Sequence, residues 1–188
     1  MSKIGLIDVD GHNFPNLALM KLSSWHKREG DSVEWYSGIE HYDRVYMSKV
    51  FAFTPDDLRV IQADEVVKGG SGYKMYDQTL PNEIEHICPD YSLYPMYNDA
   101  YGFLTRGCVN RCNFCIVPRK EGFIRGNADI TEFLSGRQSA TLMDNNVIAS
   151  DWGLNQIEKI ISLNVKVDFN QGLDLSLIHI SEPTRRRG

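Results

Sequence analysis

No run of apolar residues in the sequence approaches the roughly eighteen that a membrane-spanning helix requires, so no such span and no membrane partner is expected. Positive charge is not in surplus: 20 Lys and Arg stand against 25 Asp and Glu, a formal net charge of -5. That balance argues against a general polyanion binder, and nucleic acid is not indicated as a partner. Internal repeats with a period of about 20 to 50 residues are also missing, which excludes a solenoid or a propeller. Cysteine is scarce, with four in 188 residues. The opening MSKIGLIDVDGHNF carries Asp8 and Asp10 directly after a short apolar run, so it does not read as an export signal. Ligation is therefore a better first reading of the cysteines than disulfides, and a cytoplasmic location follows from it.

What is present is an ordinary folded composition, 42% hydrophobic and 24% charged, enough for one domain or two small ones. Residues 3–9 (KIGLIDV) read as a buried strand. Residues 16–29 place Leu17, Met20 and Trp25 at helical spacing, with Pro15 just before and Gly30 just after. Further strands are expected at 32–37, 43–53 and 65–68, with a short helix at 56–62. This alternation predicts an α/β fold that begins with a small Rossmann-like, flavodoxin-like layer over residues 1–72. The GGSG at 69–72 breaks the pattern, and a glycine cluster alone is a weak phosphate-loop signal. Residues 73–99 are rich in Pro, Tyr and Asp and read as an ordered connecting segment. Tyr73, Tyr76, Tyr91, Tyr94 and Tyr97 fit a role in covering that junction better than one as a base-stacking platform.

From Ala100 the alternation resumes. A strand at 101–105 leads into the cysteine loop, and a short helix is expected at 130–134. A strand at 140–143 ends in Asp144, Asn145 and Asn146. A helix at 154–163 precedes a strand at 165–169, which ends in Asn170, Gln171 and Gly172. In parallel α/β architectures such strand ends are where ligands bind. Asp174 and the Asn170–Gln171 pair are weaker candidate contacts.

Cys108, Cys112 and Cys115 form C-x3-C-x2-C, with Phe114 before the last cysteine. A structural zinc site normally takes four ligands from two knuckles. Only one C-x2-C is present, and Cys88, lying upstream without a knuckle partner, reads as a buried, inert thiol. Three thiolates on a short loop suit an iron–sulfur cluster with one iron left without a protein ligand. The alternative is a non-catalytic zinc or iron–sulfur electron-transfer module closed by Cys88. Arg106, Arg111, Arg119 and Lys120 surround the loop, where they either stabilise thiolates or simply solvate it.

The spacing of Cys108, Cys112, Phe114 and Cys115 resembles the radical S-adenosylmethionine superfamily, whose motif is C-x3-C-x-aromatic-C. The resemblance implies a 4Fe-4S cluster on the three cysteines, with S-adenosylmethionine chelated to the remaining iron and Phe114 beside its adenine. It implies an enzyme that reductively cleaves the cofactor to a 5'-deoxyadenosyl radical, which takes hydrogen from a substrate. A reductant such as flavodoxin or ferredoxin would supply the electron. In the family a glycine- and acid-rich second strand end binds the amino group of the cofactor; Asp144, Asn145 and Asn146 hold that position here with different letters.

The family implies a partial (β/α)6 barrel, of which residues 100–175 are expected to be the first half, since a βαβ unit takes about 30 residues. A chain of this extent is expected to turn over weakly or not at all. Residues 176–188, ending in Arg185, Arg186 and Arg187, resemble translated adapter read-through and are expected to be non-native. An N-terminal Rossmann-like layer resembles the cobalamin-binding domain of one radical S-adenosylmethionine subgroup, whose D-x-H-x-x-G supplies a histidine to cobalt. Asp10 and His12 match, but Pro15 replaces the glycine, so bound cobalamin is not favoured.

Overall fold

The computed structural model describes residues 1–11 and 13–174. His12 and residues 176–188 therefore lie outside the described residues. The chain is a mixed α/β protein with parallel sheets and falls into two compact units that divide between Asn98 and Asp99.

The first unit opens with β1 (Lys3–Asp8), followed by α1 (Leu17–Arg28), β2 (Ser32–Trp35), β3 (Tyr42–Ser48) and β4 (Ala63–Gly69), which form a parallel sheet in the order β2-β1-β3-β4. As one of the two central strands, β1 is buried on both faces, which is why its middle residues, 4–7, are apolar or glycine. Ile4 and Leu6 point to one side and pack with Leu19 and Leu22 of α1. Ile7 points to the other, against Tyr36, Tyr42, Val45 and Met47. Asn16 caps α1 by accepting from the Leu19 amide at 3.3 Å, and its own amide donates to Ser48 Oγ at 2.8 Å, which pins the helix start to the end of β3.

Two expectations fail here for identifiable reasons. β3 stops at Ser48 rather than near Phe53, because the Asp10 carboxylate takes the amides of Val50 at 2.5 Å and Phe51 at 3.3 Å away from any ladder. Among the described residues no helix forms at 56–62: Asp57 accepts from the Arg59 amide at 3.0 Å, a local turn that competes with helix formation. Gly70 and Gly72 of GGSG serve close packing. At Gly70, with φ +104, an added Cβ would lie 2.2 Å from the Lys49 carbonyl oxygen.

Residues 73–98 belong to the first unit and run along α1. There α2 (Asn82–Glu85) buries Ile84 in the cluster with Leu19 and Leu22. Lys21 pairs with Glu85 at 3.0 Å, and Ser23 and Lys27 both donate to Asp90. Of the five tyrosines, Tyr94 is buried; it donates to Asp8 Oδ2 at 2.7 Å and meets Trp35 edge-on.

The second unit contains β5 (Ala100–Gly102), β6 (Thr105–Arg106), α3 (Val117–Lys120), β7 (Arg125–Gly126), α4 (Thr131–Leu134), β8 (Ser139–Leu142), α5 (Asp151–Ser162) and β9 (Lys166–Phe169). β5, β8 and β9 form a parallel sheet in that order, while β6 and β7 pair antiparallel. Leu104, Ile130, Leu142 and Val147 are fully buried in its core. Gly102 lies flat under Phe133 of α4, whose ring would be 2.6 Å from an added Cβ. Ser150 caps α5 by accepting from the Gly153 amide at 3.1 Å. Among the described residues no helix is long and apolar enough to cross a membrane.

Candidate metal centre

The three cysteines sit on the loop between β6 and β7, just beyond the C-terminal end of β5. Gly107 opens the loop at φ +83, where an added Cβ would fall 2.3 Å from the Phe123 carbonyl oxygen, so the close approach of the two ends demands glycine. The ends are stitched together: the Cys108 amide donates to the Gly122 carbonyl at 3.3 Å, and the Gly107 amide donates to Glu121 Oε2 at 3.0 Å. Inside the loop, the Cys115 amide donates to the Cys112 carbonyl at 3.0 Å and the Asn110 amide approaches Cys108 Sγ at 3.4 Å. The single turn of α3, with Pro118 in its first turn, then brings the chain back to the neck.

None of the four cysteines forms a disulfide among the described residues. Cys108 and Cys115 are half-buried and Cys112 is exposed, as is Phe114. Cys88, half-buried rather than buried as expected, lies in the first unit with Sγ 3.8 Å from the Pro89 carbonyl oxygen. Among the described residues, no group of three or more His, Cys, Asp or Glu side chains is gathered closely enough to hold a metal ion. The donor chemistry fits an iron–sulfur cluster all the same: three soft sulfur ligands on one anchored loop, with the thiols not consumed by pairing.

The end of β8 supports this loop from behind. Asp144, 2% exposed, accepts from the Leu104 amide at 3.1 Å, the Thr105 amide at 2.5 Å and Thr105 Oγ1 at 2.6 Å. Burial pushes its carboxyl above the usual aspartate range, against the pull of those three donors and of Arg106. Next to it, Asn145 Nδ2 donates to the Gly107 carbonyl at 3.4 Å and to Glu121 Oε2 at 3.1 Å. Asn146, 1% exposed, accepts from the Asp174 amide at 3.3 Å, while its own Nδ2 is buried without a hydrogen-bond partner among the described residues. Asp174 in turn accepts from Asn110 Nδ2, inside the cysteine loop, at 3.3 Å. Residues expected at successive strand ends are thus linked through one loop. Asn170 and Gln171 lie in the turn after β9, where the Asn170 amide donates to the Leu142 carbonyl at 3.0 Å.

Three residues in the network carry no sequence signal. Thr105 shares Asp144. Trp152 Nε1 donates to the Leu104 carbonyl at 2.9 Å, with Gly126 under its ring. Glu121 lies in the K-E-G after the last cysteine, where a charged residue reads only as loop solvation. Arg106 approaches Glu121 at 3.5 Å and lies over the Phe103 ring.

No protein-family model matches the chain, and no curated protein matches it.

Proposed function

We propose that the chain is part of a radical S-adenosylmethionine enzyme, with the cluster-bearing strands of a (β/α)6 barrel in its second unit. The single observation that carries this reading is the C-x3-C-x-aromatic-C loop at the C-terminal end of a parallel strand, its neck tied to the end of the next parallel strand. Cys108, Cys112 and Cys115 would hold a 4Fe-4S cluster, and Phe114 would lie beside the adenine of the cofactor. When bound, the cluster and S-adenosylmethionine supply a one-electron cleavage of the sulfonium that yields methionine and a 5'-deoxyadenosyl radical, which takes a hydrogen atom from the substrate.

The chain's own residues divide the remaining work. Asp144 holds Leu104 and Thr105 at the base of the loop, at the strand end that in the family takes the amino group of the cofactor. Asn146 has a buried amide donor with no partner among the described residues, which suits a carboxylate or carbonyl at the same strand end. In the first unit, the order β2-β1-β3-β4 is that of the opening strands of a doubly wound sheet and supports a Rossmann-like, flavodoxin-like domain. With Pro15 where the cobalt-binding motif has glycine, that domain is proposed to work without cobalamin. A flavodoxin- or ferredoxin-type reductant and a cytoplasmic setting complete the proposal.

Anaerobic reconstitution with iron and sulfide tests it. A bound cluster whose electron paramagnetic resonance spectrum changes on adding S-adenosylmethionine is the expected result. A Cys88→Ala variant that loses all metal points instead to a closed electron-transfer or zinc site. A chain that takes up no metal sinks both readings.

A further inference from the structure

The cysteine loop is closed at its base by a carboxylate outside the ligand set. Glu121 follows the turn of α3, where its amide donates to the Val117 carbonyl at 2.8 Å, so the helix geometry aims it back at the neck. Its Oε2 accepts from the Gly107 amide at 3.0 Å and from Asn145 Nδ2 at 3.1 Å, while Oε1 faces Arg106 at 3.5 Å. Asn145 spends its second amide proton on the Gly107 carbonyl at 3.4 Å. The Glu121 side chain is only 12% exposed, so these bonds lie where water competes weakly. Gly107 directly precedes the first cysteine, and Asn145 stands at the end of a strand that bears no thiol. One side chain therefore joins both ends of the loop to a fixed point on the sheet.

We propose that Glu121 and Asn145 are positioning residues, a clasp that fixes Cys108 at the neck so that the three thiolates can close on one cluster. This rests on the cluster-binding reading of the loop. A ligand-bearing loop with a loose base must be ordered when the metal binds, and outer partners of metal ligands typically change affinity by about 10- to 100-fold when removed. Glu121→Ala leaves the Gly107 amide and the Asn145 amide without their acceptor. Glu121→Gln keeps a carbonyl oxygen that accepts from both and turns a neutral amide NH2 toward Arg106 in place of the charged oxygen. Asn145→Leu removes the donor to both Glu121 and the Gly107 carbonyl while keeping the bulk of the side chain.

The experiment reconstitutes the full chain anaerobically with ferrous iron and sulfide. It reads bound iron and sulfide, the electron paramagnetic resonance spectrum of the reduced cluster, and the rate of iron loss to a chelator. E121A and N145L are expected to lose iron about 10- to 100-fold faster than the unmodified chain, with altered spectra, while E121Q stays close to it. If E121A does not fold, N145L decides, because an N145L chain with the unmodified spectrum and rate of iron loss overturns the clasp. A wild-type spectrum and rate in E121A overturn the clasp and leave the cluster reading standing. An unmodified chain that binds no cluster overturns the cluster reading and, with it, this inference.

Discussion

Asp144 and Thr105 are joined twice, through the Thr105 amide at 2.5 Å and its hydroxyl at 2.6 Å, and this double link turns the chain from β5 into the cysteine loop. Asp144→Ala strands the buried amides of Leu104 and Thr105, and a cost of about 2–4 kcal/mol to the second unit is expected. Thr105→Val removes only the hydroxyl and should cost about 1 kcal/mol. Urea unfolding of the two variants checks the order, and equal costs would contradict a carboxylate-centred turn.

Gly107 and Gly122 both have positive φ, at +83 and +77, yet they differ in what surrounds them. An added Cβ at Gly107 meets the Phe123 carbonyl, whereas among the described residues nothing lies within 4 Å of one at Gly122. Gly122→Ala should cost only the left-handed strain of about 1–2 kcal/mol. Gly107→Ala should cost more and also lower cluster uptake. Thermal melts of the two variants, with iron uptake as a second reading, decide it.

Asp129 is held well below the usual aspartate range. Burial pushes its carboxyl up, but Lys159, Thr131 and Gln156 outweigh that. A carboxyl with a depressed folded value adds stability that is present above its ordinary titration range and is lost as the pH falls through that range toward the folded value. Asp129→Asn should therefore destabilise by about 1–2 kcal/mol at neutral pH and progressively less below pH of about 4. Denaturant unfolding at several pH values reads this, and a pH-independent difference would falsify the ion-pair account.

Tyr94 titrates well above the ordinary tyrosine range, first because it is buried and then because its hydroxyl donates to Asp8. A raised folded value means that the neutral phenol is favoured, so its contribution is complete below the ordinary value and is lost as the pH rises toward the folded one. Tyr94→Phe should cost the first unit about 1 kcal/mol at neutral pH and flatten its stability loss above pH of about 10. A mutant with the same alkaline slope as the unmodified protein would rule Tyr94 out as the source.

The regular elements were legible because each carries its own period. β1 alternates faces within an apolar run, and α1 has Asn16 at its start and Gly30, at φ +87, past its end. What escaped reading depends on contacts far apart in sequence. β3 ends where Asp10, forty residues upstream, captures Val50. The strand expected at 101–105 divides into β5 and β6 because Asp144 draws in the Leu104 amide between them. The cysteines and the strand end at 144–146 were visible as residue types at strand termini. Glu121 was not, because a carboxylate that bridges a loop looks in sequence like any solvated acid.

In the first sheet, α1 covers one face, while the other leans on the segments that carry Tyr36 and Ile61. β4, an edge strand with three consecutive exposed residues, joins β3 through a long stretch without a helix, and its hydrogen bonds shield one another little. Opening of that sheet should begin at this margin and run inward, so that amide protons on β4 trade with deuterium well before those of Ile4 and Leu6. The unit then has a weak seam on one side and a helix-locked centre, and excursions from the native state would expose β3 while β1 stays folded against α1.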